Sequence, residues 1–244
     1  MIADLGSGLR LGWRLARMLG VTIACVIPHL IARRRGRSPW PQRFLGSAAR
    51  AAGFDVRITG TPRLHDVFYV ANHLSWIDVL AMGGATGCAF IAKADVKSAS
   101  LAGWLADQNN TIYVARERRG EVGGQIDAVR DAVSAHQPIA LFAEGMTGDG
   151  KTLGPFKPPL FEVLLPPPRE IMIQPVVVDY GEANALIAWG EEPGLAYSRR
   201  ILSSPGRKSV TLHFLEPFDP GDHPDRKALA TETRSRIAAA MGLD

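Results

Sequence analysis

The chain has 244 residues, 46% hydrophobic and 21% charged, with a formal charge of +4. This composition excludes a disordered chain, and the length suits one large α/β domain, or one domain with a small appendage, able to bury a sizeable core. Two cysteines, Cys25 and Cys88, cannot make a disulfide framework and have no partners at metal-ligand spacing; both read as core residues, and no metal is expected.

In chain order, the first unusual segment runs from residue 8 to residue 33. Met18 to Ala32 carries no charge and lies between Arg14 and Arg17 on one side and Arg33, Arg34, Arg35 and Arg37 on the other. A spanning helix needs roughly 20 apolar residues, so this run is short for one. An arginine cluster follows where a signal peptide would have its cleavage site. A membrane-embedded or re-entrant helix is expected, its cationic flank meeting anionic lipid at about 1 kcal/mol per basic residue. From Pro39 to Ala52, Trp40, Phe44, Leu45, Ala48 and Ala52 alternate with Arg43 and Arg50, an amphipathic pattern in which Trp40 suits an interfacial anchor. Residues 1–52 therefore read as two membrane-docking helices, with a hairpin packed on the globular domain as the alternative. The basic excess gathers here, and no nucleic-acid signature follows.

Residues 53–244 read as a single α/β domain with a mixed, mostly parallel sheet flanked by helices. Strands are predicted over 54–60, 66–71, 88–92, 111–115, 138–142, 171–179 and 208–215, several of them continuous apolar runs suited to a sheet covered on both faces. Helices are predicted over 76–85, 100–107, 120–136 and 225–241. The Pro- and Gly-rich stretches 154–168 and 190–206 read as loops.

Asn72-His73-Leu74-Ser75-Trp76-Ile77-Asp78 follows the second strand directly. An imidazole held by a carboxylate can take a proton from a hydroxyl near neutral pH, so His73 is the candidate general base and Asp78 its orienting acid. A surface pair, or a helix started by Asp78, would give the same spacing. Ser75 reads as a helix cap rather than a nucleophile.

Further segments share a pattern with this one. Tyr113 and Arg116 end the run Asn110-Thr111-Ile112-Tyr113-Val114-Ala115-Arg116; Glu144 and Gly145 follow Phe142-Ala143; and Pro175 interrupts Ile173-Gln174-Pro175-Val176-Val177. In order and spacing these resemble the four motifs of the glycerolipid acyltransferases of the 1-acylglycerol-3-phosphate acyltransferase type, over roughly residues 53 to 215. Asn110 stands where that family has glycine, and Ala143, Met146 and Thr147 where its third motif has proline, threonine and arginine. The stretch from Glu144 to Gly150, with Phe156-Lys157, is also similar to the lyso-ornithine lipid acyltransferase branch.

The resemblance implies transfer of a fatty acyl group from acyl-CoA or acyl carrier protein to a lysophospholipid hydroxyl, with no cofactor. The lysophosphatidic acid acceptor comes first on the breadth of the family and lyso-ornithine lipid second. It implies His73 and Asp78 as the catalytic pair and Asn72, Arg116, Glu144, Gly145 and Lys157 as substrate contacts. Asn72 or the backbone near Gly145 would supply oxyanion donors, Arg116 would grip a phosphate, and Lys157 would meet an anionic group. The setting implied is the inner membrane, with the catalytic domain facing the cytoplasm. Two other classes fit less: an esterase using water, without a Gly-x-Ser-x-Gly elbow, and a non-catalytic lipid-binding module.

Overall fold

The computed structural model describes residues 2–35, 38–114, 129–132, 134 and 137–243. All seven expected strands are present, as β1 (Phe54–Thr59), β2 (Val67–Ala71), β3 (Ala89–Lys93), β4 (Ile112–Val114), β5 (Ile139–Phe142), β6 (Met172–Asp179) and β7 (Lys208–Phe214). They form one sheet in the order β1-β7-β6-β2-β5-β3-β4. Every neighbouring pair is parallel except β6 with β7. The mixed, mostly parallel sheet read from the sequence is the one observed.

The apolar run of β2 explains its central place. All five residues are buried, and successive side chains point to opposite faces. Val67, Tyr69 and Ala71 join one core cluster while Phe68 and Val70 join the other. The described helices are α1 (Ile2–Ala32), α2 (Trp40–Ala51), α3 (Trp76–Thr86), α4 (Ala94–Ser98), α5 (Ser100–Gln108), α6 (Asn184–Ile187), α7 (Gly194–Ser203) and α8 (Arg226–Met241). Leu45 and Ala48 of α2, Leu80 of α3 and Tyr197 and Ile201 of α7 fill the first cluster. Leu229 and Ile237 of α8, with Phe161 and Val163 from the 3₁₀ turn Pro158–Leu164, fill the second. Helices α2 and α3 approach so closely that a Cβ on Gly84 would lie 2.5 Å from the Cα of Gly46.

Three expectations are amended. The stretch 190–206 contains α7, a helix that its flanking glycines and prolines concealed; its Tyr197, Ile201 and Leu202 are buried at helical spacing. The apolar N-terminal run is part of one continuous helix, α1, of 31 residues. Its segment Leu5–Ala32 is long and apolar enough, by length and composition alone, to cross a membrane. Helix α2, whose apolar side was expected at a bilayer, instead turns Leu45, Ala48, Ala49 and Ala51 inward, so the packing is continuous across residue 52. The predicted helix 120–136 lies outside the described residues except for 129–132 and 134.

Helix α1 is tied to the domain at both ends. Arg14 Nη1 donates to the carbonyls of Ile201 (3.2 Å) and Leu202 (3.1 Å), its Nη2 to Gly206 (2.6 Å), and Arg10 Nε to Ser203 (2.9 Å). The carbonyls of Ile201, Leu202 and Ser203 lie in the last turn of α7, where cations are favoured, and that of Gly206 lies just beyond it. At the other end His29 and Arg33 both reach the Gln108 side-chain oxygen, at 3.2 and 2.8 Å. The opposite side of α1 exposes Leu5, Leu9, Trp13, Leu19, Ile23, Ile27 and Ile31.

Candidate active site

Strands β2, β5 and β6 are adjacent and parallel, and their C-terminal ends lie together, with Ala71 paired to Phe142 on one side and Val176 on the other. Open α/β sheets place ligands at this edge. The chain leaves β2 through Asn72 and His73 and enters α3 at Ser75. Ser75 caps the helix by accepting from the Ile77 N–H, and Asp78 closes a capping box by accepting from the Ser75 N–H.

Asp78 therefore does two jobs. Its Oδ2 accepts from the backbone N–H groups of Leu74 (2.6 Å) and Ser75 (2.9 Å) and from the ring of His73, whose Nδ1 is 2.8 Å away. Its Oδ1 accepts from the hydroxyl of Tyr180. The carboxylate is fully buried, and four donors make a buried anion tolerable. Since a carboxylate only accepts, His73 Nδ1 carries the proton and Nε2 holds the lone pair of the neutral ring. Among the described residues nothing hydrogen-bonds Nε2, and the His73 side chain is 20% exposed. Phe142 stacks on the imidazole with ring centroids 4.0 Å apart and planes 15° off parallel, fixing its other face.

The remaining expected residues fall as follows. Asn72 is buried, and its side chain pairs both ways with the peptide of Val178, Nδ2 to the carbonyl at 3.0 Å and Oδ1 from the N–H at 2.7 Å. These two bonds join the ends of β2 and β6 beside His73. Glu144 sits directly beneath the histidine, accepting from the backbone N–H of His73 and from that of Gly154 at 2.8 Å. Burial pushes its carboxyl above the ordinary value, and the two N–H donors oppose that. Gly145 has φ +79°, the left-handed turn that lets the chain double back below the site; its N–H bonds the Phe142 carbonyl at 3.1 Å. Gly148 then donates to the His73 carbonyl at 2.6 Å. Lys157 has an exposed side chain, while its N–H bonds the carbonyl of Ala143, next to Glu144. Arg116 lies outside the described residues. Asn110, in the place of a motif glycine, has φ +56°, the left-handed region in which asparagine is the best substitute for glycine.

Three residues at the site carried no usable sequence signal. Tyr180 follows an apolar strand 102 residues after Asp78. Phe142 was legible as a strand residue but not as the ring under His73. Arg234 of α8 holds the loop that supplies Gly154, bonding the carbonyls of Leu153 (2.6 Å) and Gly154 (2.9 Å). Cys88 is a buried core thiol, pushed up to about 12 by burial. A groove of about 700 Å³, lined by His29, Arg33, His65, Gln108 and Gln137 among others, opens at the opposite edge of the sheet.

The acyltransferase family profile matches residues 55–179. The chain is 30% identical over 249 residues to a lyso-ornithine lipid O-acyltransferase of Pseudomonas aeruginosa, covering 96% of this chain and 94% of that one. A protein of the same description from Brucella abortus is 29% identical, covering 93% and 91%. A 1-acyl-sn-glycerol-3-phosphate acyltransferase of Neisseria gonorrhoeae is 27% identical, covering 82% and 80%. The crystal structure of the 1-acyl-sn-glycerophosphate (LPA) acyltransferase PlsC from Thermotoga maritima superposes with a TM-score of 0.74 at 18% identity, covering 98% and 96%, and has the same fold. The chain belongs to the acyltransferase family, and the enzyme is an acyltransferase.

Proposed function

We propose that this enzyme is a lysolipid O-acyltransferase that takes a fatty acyl group from the thioester of acyl-CoA or acyl carrier protein and places it on the hydroxyl of lyso-ornithine lipid. The observation that carries the reading is His73 at the C-terminal edge of the sheet, with Nδ1 bonded to a buried carboxylate and Nε2 without a hydrogen-bond partner among the described residues. Nε2 removes the proton of the acceptor hydroxyl as its oxygen attacks the thioester carbonyl. The imidazolium that forms is stabilised by Asp78. The tetrahedral intermediate collapses, the carbon–sulfur bond breaks, and the imidazolium returns its proton to the departing thiolate. A new ester and a free thiol result. No nucleophilic serine is needed, which agrees with Ser75 acting as a cap.

Two features support the acceptor. Thr147 replaces the arginine that would help hold a phosphate, and each lost charge-assisted hydrogen bond is worth about 1.5–3 kcal/mol. The lyso-ornithine relatives also align along more of the chain than the glycerol-phosphate one. These observations move lyso-ornithine lipid ahead of lysophosphatidic acid, which the family's breadth had put first. In this reading Lys157, Gly145 and Arg116 contact the substrates.

We further propose that α1 lies in one leaflet. The domain grips it from Arg10 to His29, about 29 Å of helix at 1.5 Å per residue, and a helix with a folded domain along its length cannot be surrounded by lipid. Its outward apolar stripe suits an interfacial helix. In this reading the acyl donors are soluble, which supports an active site on the cytoplasmic face of the inner membrane.

Purified enzyme with labelled acyl-CoA or acyl carrier protein and a panel of lysolipids tests the activity, with lyso-ornithine lipid expected to accept fastest. Thioester hydrolysis at the same rate with and without acceptor would make the enzyme an esterase; preference for lysophosphatidic acid would return the acceptor to the first motif reading. Vesicle flotation of Leu9→Glu, Ile23→Glu and Ile27→Glu tests the anchor, and unchanged flotation of the triple variant would reject it. Deleting residues 1–52 is a poor test, since α2 belongs to the core.

A further inference from the structure

The catalytic pair has a third member that neither the motifs nor the relatives' names assign. Tyr180 stands directly after β6, and its hydroxyl donates to Oδ1 of Asp78, the oxygen that faces away from His73. The contact is built rather than incidental. Asn72 clamps Val178 two residues earlier, fixing the end of β6 against the segment that carries His73. The Tyr180 ring is buried and packs edge-on against Phe54, centroids 6.0 Å apart. The carbonyl of Tyr180 accepts from Ala183 N–H at 3.0 Å, which shapes the turn that follows.

From this geometry we infer that Tyr180 is a positioning residue of the acyl-transfer reaction, setting the orientation of Asp78 and the strength of its pull on His73. A carboxylate shares its charge among its donors, so a phenol on Oδ1 draws charge away from Oδ2, where His73 binds. With that donor present, Asp78 holds the ring in one tautomer while part of its charge is committed to the phenol. Burial and the neighbouring Asp78 carboxylate raise the Tyr180 hydroxyl well above the ordinary tyrosine value, so it remains a donor throughout the working range. The other titratable groups facing this cluster are Glu144, below the His73 backbone and felt by its ring, and Tyr197 of α7, which reaches Ser75 and feels Asp78, with Arg200 and Glu192 beyond it.

The inference rests on the acyltransferase mechanism, but its test does not need turnover. The variant is Tyr180→Phe, and the isosteric control carries 3,5-difluorotyrosine at position 180, a stronger donor. Two readouts are taken: the His73 titration by NMR on histidine-labelled protein, and the pH dependence of kcat/KM. In Tyr180→Phe the carboxylate pulls harder on the ring, so the His73 midpoint and the acid limb both move to higher pH, by about half a unit or more. Turnover falls about 10- to 100-fold, the span of one hydrogen bond to a charged group, with acceptor KM little changed. In the difluorotyrosine protein the midpoint moves to lower pH. Tyr197→Phe removes a hydroxyl that donates to the Ile187 carbonyl at 2.7 Å; it loses thermal stability and leaves the His73 midpoint in place.

A His73 midpoint that is unmoved in both position-180 proteins overturns the inference and makes Tyr180 a packing residue. If Tyr180→Phe does not fold, the difluorotyrosine protein decides alone. If wild-type enzyme transfers no acyl group, the functional reading fails, while the NMR midpoints still decide whether Tyr180 tunes His73.

Discussion

Two histidines, at opposite edges of one sheet, separate what is built for chemistry from what is built for support. At the N-terminal edge His29 is buried with both ring nitrogens engaged, Nδ1 with the Ser38 hydroxyl at 2.9 Å and Nε2 with the Gln108 amide oxygen at 3.2 Å. At the C-terminal edge His73 has one nitrogen bound, to a buried carboxylate, and the other without a partner among the described residues. Residue type does not distinguish them. A ring with both nitrogens in use fastens α1 to α5, whereas a ring with a free lone pair and an anion behind it can take and return a proton.

The comparison breaks first at His73. His73→Ala is expected to lower acyl transfer at least about 10³-fold while circular dichroism and thermal unfolding stay close to wild type; retained turnover would remove the proton-transfer role. Asp78→Asn should cost about as much, because an amide can present a donor to Nδ1 and favour the wrong tautomer, and it should also lower the melting temperature, since one group there must satisfy four donors. Asn72→Ala comes next. Loss of two buried hydrogen bonds to Val178 should destabilise by about 1–3 kcal/mol in denaturant unfolding and reduce kcat more than acceptor KM, since the histidine is misplaced rather than missing.

His29→Leu sharpens the contrast from the other side. A stability loss of about 1–3 kcal/mol with kcat within about twofold of wild type is expected of a group that only fastens. A large loss of turnover would mean that the anchor of α1 is coupled to the site.

The smallest effect concerns Glu144. Its carboxyl is raised in the folded protein above the unfolded value of 4.5. Across the window above 4.5 the folded state therefore binds more protons than the unfolded state, and stability falls as pH rises through it. Glu144→Gln should lack this slope, so melting temperatures of the two proteins recorded between neutral pH and about 4.5 should show wild type gaining on the variant as pH falls.

The sheet was legible because its strands are short apolar runs between turn signals, and β2, β5 and β6 need no distant information to be recognised. The contact of His73 with Asp78 was legible because it shares one local segment with a capping box. The partner of Asn72, and Tyr180 altogether, were not, since each contact spans more than 100 residues, Asn72 to Val178 at a separation of 106 and Tyr180 to Asp78 at 102. Helix α7 was hidden by the glycines and prolines at its two ends, and helix α2 by an amphipathic pattern that suits a bilayer and a protein core equally well. Only its packing on α3 chose between them.

Sequence alone determined the strands, the local His–Asp segment and the apolar character of α1, because each is written in neighbouring residues whose spacing matches a strand, a helix turn or a cap. Tertiary structure decided which histidine has both nitrogens engaged, which donors surround Asp78, and that α1 runs along the domain with Arg14 on the end of α7. Hydrogen bonds are short and directional, so whether two distant polar groups meet depends on the path of the whole chain rather than on their identities.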